Sequence, residues 1–279
     1  MKSLAPFVLC LGLALTNSVQ ASSENYPPSA PHLVSGQYRF EVIEEIRTPD
    51  EVLVGSNSVD EGEPVYYFQN FGGSPAMGIA LGPFGVLASG AMIKSNTKSD
   101  VEALKGRVDA KPVSLMKEAV HASGEVETSA KPVQIQPYLI FSKGDKDKVY
   151  AAYAADVSVD GWKGRYTRHL RTSYTVATLA AGLAEPQKEA LTTELKHAGE
   201  DLVKLIRQDL ENGLQFSKPV LVRSETVTPR FIFDVLAKTV TEDPDSVTVG
   251  LGYRGKWMPV TLSSGYHVFP RDQVIIKDR

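Results

Sequence analysis

Residues 132–176 read PVQIQPYLIFSKGDKDKVYAAYAADVSVDGWKGRYTRHLRTSYTV, and this stretch decides the fold. Val133, Ile135, Tyr138, Ile140 and Phe141 predict one strand, interrupted by Pro137 and closed by the Lys143-Gly144-Asp145 turn. Residues 149–159 predict the next. Successive strand side chains alternate, so Tyr153, Ala155 and Val157 face one side and Asp156 the other. Asp160-Gly161 is a hairpin signal, and residues 162–176 return. Three sequential strands joined by short turns mean an antiparallel meander with one face buried.

A long helix follows. Pro186 suits its first turn, Leu191, Leu195, Ala198, Leu202, Leu205, Ile206 and Leu210 recur at spacings of three and four, and Gly213 is placed to end it. Glu189, Glu194, Lys196, Glu200, Lys204, Arg207 and Asp209 read as its solvated faces. The apolar stripe is expected to lie on the meander and form the main core layer. The expected fold class is therefore α+β, with a β-rich C-terminal extension over 216–279 packed on the same domain. Within that extension residues 220–222, 246–252, 257–262 and 273–277 read as strands, Gly255 as a turn, and 230–240 as either strand or helix.

On the N-terminal side, residues 64–93 carry no charged side chain. Ser74 to Ile93 matches a membrane span in length, with Asp60, Glu61 and Glu63 before it and Lys94 and Lys98 after. Ile79, Leu81, Phe84, Val86, Leu87 and Ile93 sum to about −2 to −3.5 kcal/mol on the insertion scale. Pro83 and the glycines beside it oppose a continuous helix. The reading is two short elements broken at Gly82-Pro83 and packed through glycine in the core, with a single span facing the periplasm as the alternative. Tyr38, Phe40 and Val42 alternate with Arg39 and Glu41 and predict a strand over 37–46, and Val52 and Val54 suggest a partner. Two helices are expected at 100–108 and 113–122.

Residues 1–21 have one basic residue, an apolar run and a small-residue exit at Ala21, the pattern of a cleaved secretory signal peptide. Cleavage there removes the one cysteine, Cys10, and leaves a chain of about 258 residues with 29 basic and 33 acidic side chains. A thiol-free mature chain has no disulfide, thiolate nucleophile or thiolate metal site. The expected compartment is the periplasm, with residues 22–36, which contain three prolines, as a flexible tether. The mild negative charge attracts neither nucleic acid nor anionic lipid.

Motifs for chemistry are absent: no nucleophile elbow, no zinc-binding helix motif, no phosphate loop and no dinucleotide fingerprint occurs. The histidines stand singly, so neither metal nor cofactor is expected. One cluster draws attention. Alternation on 164–175 puts Arg165, Thr167, His169, Arg171 and Ser173 on one face, and two guanidiniums flanking an imidazole suit a carboxylate or phosphate. Arg165, His169 and Arg171 are the candidate ligand-binding residues. The competing reading pairs the arginines with carboxylates such as Asp156 on the next strand.

The arrangement of Gly78 to Ile93, Pro137-Tyr138, the 149–157 strand, Arg165-Tyr166 and the 189–213 helix resembles exported, lipoprotein-like envelope proteins of Gram-negative bacteria that carry a Gly/Ala-rich apolar segment. That resemblance implies an envelope location and brings no activity with it. The expected role is a non-catalytic, inhibitor-like or immunity-like interaction protein of the cell envelope. The alternatives are an envelope hydrolase with a site assembled from distant residues and a membrane-anchored protein.

Overall fold

The computed structural model describes residues 29–48, 56–69, 96–124, 130–144, 147–217, 219–227, 234–251 and 265–278. Residues 1–21, read as an export signal, the uncharged 74–93 segment, and residues 52–54 and 257–262, read as strands, lie outside them. Among the described residues the chain is α+β, and no helix is long and apolar enough to cross a membrane.

The meander is present as β4 (Lys131–Lys143), β5 (Lys148–Val159) and β6 (Trp162–Thr175), paired antiparallel in order. Three parallel pairings, which the spacing of the strands along the chain does not announce, extend it into an eleven-stranded mixed sheet. β1 (Tyr38–Val42) runs beside residues 131–135 of β4, and β3 (Val65–Gln69) beside residues 139–143. Pro137 falls in the gap between them, where the backbone donor it lacks would have met neither strand. A short β2 (Asn57–Ser58) pairs with β3. On the far side β10 (Gly265–Pro270) joins β6 in parallel. It carries with it β9 (Ser246–Leu251), β8 (Val235–Glu242), β7 (Pro219–Arg223) and β11 (Ile275–Asp278). The C-terminal extension is thus part of the same sheet.

Helix α1 covers residues 96–104 where 100–108 was expected, so Val108 falls beyond it; α2 (Pro112–Ala122) and α4 (Glu185–Asn212) follow the sequence reading closely, and the short α3 (Val176–Ala181) is absent from that reading. Every apolar stripe residue of α4 is buried. The stripe meets Val149, Ala151, Tyr153, Ala155 and Val157 of β5 and the alternate residues of β4 in one continuous core. Gly199 lets the layers close, since an added Cβ there would sit 3.3 Å from Ala119 Cβ and 3.4 Å from Tyr153 Cε1. The opposite sheet face is also buried, in a small cluster around Tyr66 and Tyr138 and a second around Val249 and Phe269. Residues 29–36, read as tether, lie along the end of α4, with Leu33 N donating to Leu210 O at 2.7 Å.

Asp209 corrects the reading of α4. It was assigned to the solvated face, yet it is fully buried. It stands four residues after Leu205 and seven after Leu202, so the helical period puts it on the apolar stripe, where only its hydrogen-bond partners make a carboxylate tolerable.

Candidate interaction site

The strand face that carries Arg165, His169 and Arg171 does not form one site. Arg165 closes a fork on Asp156 across the β5–β6 pair, Nε to Oδ1 at 2.6 Å and Nη2 to Oδ2 at 2.8 Å. Arg47 donates to the same carboxylate at 2.6 Å, and both guanidiniums lie over the Tyr138 ring, 5.2 and 5.6 Å from its centroid. Burial acts to raise the Asp156 pKa, but the hydrogen bonds and charge of Arg165, then those of Arg47, hold it below the usual carboxylate value. The competing reading of Arg165 therefore describes its geometry.

His169 is buried and bonds His267 of β10, Nε2 to Nδ1 at 3.1 Å, with the face of Phe269 stacked 4.2 Å away. Burial first, then the neighbouring His267 and Arg168, press its pKa well below the usual imidazole value. Arg171 makes contacts of its own, with neither Arg165 nor His169 among its hydrogen-bond partners. Two residues on β5 span four on β6 between the Tyr150–Ser173 and Ala152–His169 pairs, so β6 bulges over 170–172. The amides this frees, those of Arg171 and Thr172, donate to Glu194 Oε1 of α4 at 2.6 and 3.2 Å. The Arg171 side chain then holds the β8–β9 turn and the segment after β10, donating to Asp245 O at 2.9 Å and Asp272 Oδ1 at 3.2 Å. Strand alternation found the residues but not the bulge, which depends on a helix carboxylate far along the chain.

A third buried group was missed. Tyr166 OH donates to Asp209 Oδ2 at 2.6 Å and Leu214 N to Oδ1 at 3.2 Å, with Tyr266 beside them. Burial, first of all, holds the Asp209 pKa above its usual value against these bonds. In all three places the ionisable groups spend their hydrogen bonds on one another.

The open feature is at β1. Ile43 N reaches Ile135 O at 2.8 Å and Lys131 N reaches Gln37 O at 3.1 Å, so the odd residues of β1 turn their backbone groups to β4. Those of Tyr38, Phe40 and Val42 consequently point to the other edge, and among the described residues β4 is β1's one strand neighbour. Along that edge runs a groove of about 440 Å³ between β1 and the ends of α2 and α4. Consecutive residues Tyr38, Arg39 and Phe40 line it, as expected of a groove that follows a backbone edge. Val120 adds to the apolar floor, and Arg39, Lys117 and Arg207 stand against one carboxylate, Glu211, itself bonded by Tyr38 OH at 2.9 Å. Arg207 lies 5.7 Å from the Phe40 ring. Neither the edge nor the groove was assigned in the sequence reading. The alternation at 38–42 was its one signal.

Compared with known proteins, the chain matches no family model, no curated protein and no solved structure.

Proposed function

We propose that this is an exported interaction protein of the cell envelope that binds, without catalysis, an extended and carboxylate-bearing segment of a partner protein along β1. The observation that carries the reading is the outward backbone of Tyr38, Phe40 and Val42 beside an apolar groove. An added strand gains main-chain hydrogen bonds from such an edge and places alternate side chains in the pocket. The charge supports an acidic occupant: three cations line the groove in a chain whose net charge is −3. The ion pair that now holds Lys117, to Glu44, is exposed, so a partner carboxylate displaces it at small cost.

The test is capture of partners from an envelope fraction by the purified mature chain, in parallel with Val42→Pro, which removes one outward N–H and is tolerated on an edge strand, and Arg39→Glu with Lys117→Glu. A partner held by the wild type and lost by both variants supports the reading, provided the variants keep the wild-type melting temperature. A partner held equally by all three overturns it. So does turnover of an envelope substrate by the wild type with no stable partner.

A further inference from the structure

His169 and His267 stand singly in the sequence, and the fold brings them together where β10 meets β6. β10 meets β6 at three registered pairs, Tyr266–Tyr166, His267–Thr167 and Val268–Arg168, and through β10 the strands β7–β9 and β11 are attached to the meander. The two imidazoles bond each other on the face of this seam away from α4 and are both buried.

The bond dictates where protons sit. His169 Nδ1 is buried with no hydrogen-bond partner among the described residues. An N–H there would be an unsatisfied donor, so the proton of neutral His169 belongs on Nε2 and is donated to His267 Nδ1. A further proton has two places on this pair of contacts. On His169 Nδ1 it finds no acceptor. On His267 Nδ1 it destroys the shared hydrogen bond and sets two donors 3.1 Å apart.

Among the described residues, the positions registered opposite the two rings offer no side-chain acceptor. Across β5 the residue opposite His169 is Ala152, and across β9 the residue opposite His267 is Val249. On β6 itself, Arg165 is bound to Asp156, and Arg168, on the helix side with Nε 3.3 Å from Asp201, adds positive potential. Beyond the bulge Arg171 is another cation, held by Asp272. Phe269 is stacked on His169 with its plane 7° away, and its π-face favours an imidazolium, but a ring face does not replace lost water.

We propose that the His169–His267 contact is an acid-sensitive latch, closed while both rings are neutral and opened by one proton. Opening separates β10 from β6 and uncovers the apolar cluster of Val247, Val249 and Phe269 while the meander and α4 remain folded. The sign is that of a base kept neutral by the closed form: the open form takes the proton more readily. Closure is therefore full above the unperturbed histidine value of about 6.5 and weakens about tenfold per pH unit below it.

The experiment is amide hydrogen exchange on the full chain at pH 7.5, 6.5 and 5.5, corrected for the intrinsic pH dependence of exchange. Protection of residues 246–251 and 265–270 is expected to fall about fivefold between pH 6.5 and 5.5, with β4 and β5 unchanged. Unchanged protection in β10 overturns the latch. So does an equal loss in β4, which would mean global unfolding. His169→Phe keeps a ring on Phe269 and removes the titrating group, so its β10 protection should be independent of pH, and retention of the wild-type slope refutes the role of His169. Should that variant not fold, ring ¹⁵N shifts of the wild type decide: His169 is expected neutral with its proton on Nε2 at pH 6, and a protonated ring in a closed seam at that pH overturns the proposal.

Discussion

Arg165 grips Asp156 with two nearly parallel hydrogen bonds, 2.6 and 2.8 Å, at a register position where β5 and β6 face each other. Arg47 approaches the same carboxylate from residues 43–48, whose course is further set by Tyr66 OH donating to Arg47 O at 2.8 Å. A residue that looked available to a ligand is thus part of what holds this strap on the sheet.

Truncating Arg165 leaves a desolvated carboxylate with half its partners. Loss of one member of a buried pair costs about 3 to 5 kcal/mol, and the fifth or so of each side chain that remains exposed argues for the lower end, about 3. Urea denaturation of Arg165→Ala checks this, and a change below 1 kcal/mol would sink it. Arg171→Ala, whose side chain is half exposed, is expected to cost less than about 1 kcal/mol.

Gly199 stands where α4 packs tightly on α2 and β5. Alanine there gains about 1 kcal/mol of helix propensity and asks Ala119 and Tyr153 to yield by a few tenths of an ångström, so Gly199→Ala should lie within about 1 kcal/mol of wild type. Gly199→Leu has no such space and should cost at least the 1 to 3 kcal/mol typical of overpacking. Thermal melts of the pair discriminate: equal melting temperatures for Ala and Leu would show that the interface is not closed here.

Gly265 opens β10 against the backbone of β6. A Cβ at this position would stand 2.6 Å from Arg165 O, a contact with main chain that no rotamer change relieves. Gly265→Ala is therefore expected to destabilise the chain by about 1 to 3 kcal/mol and to lower exchange protection in β10 before β5. Uniform protection in the variant would contradict the placement of the seam.

Asp209 should make its own mark on the pH dependence. Its folded pKa is raised above the unfolded one, so the native chain takes up this proton first. The stability it contributes is present in full below the unfolded value and is lost as pH rises through the folded value. The difference in unfolding free energy between wild type and Asp209→Asn should hence grow from pH 7 toward pH 4. A difference that shrinks on acidification would reverse the assignment. Asp156 has the opposite sign: its contribution persists at neutral pH and is lost as pH falls below the ordinary carboxylate range.

Much of this molecule follows from local pattern. Alternation over 132–176 and the three-and-four spacing from Leu191 to Leu210 are properties of neighbours along the chain. A half-buried strand or a surface helix repeats them whatever else the fold does, and so the meander, α2 and α4 are legible without coordinates. The 38–42 alternation likewise announces β1, though not that its partner is β4.

Tertiary structure decided what depends on distant residues. β10 is buried at all six positions and shows no alternation, which hides it from a period-two reading although it joins the two parts of the sheet. The bulge at 170–172 exists because Glu194 supplies acceptors for amides that the sheet cannot satisfy. Asp209 is stable in the core because Tyr166, 43 residues away, reaches it, and two solitary histidines become a pair across 98 residues. Backbone periodicity is set by sterics within a few residues, whereas pairing of buried polar groups is set by whichever segments the sheet order makes neighbours. The character of each face could be read along the chain, and its chemistry could not.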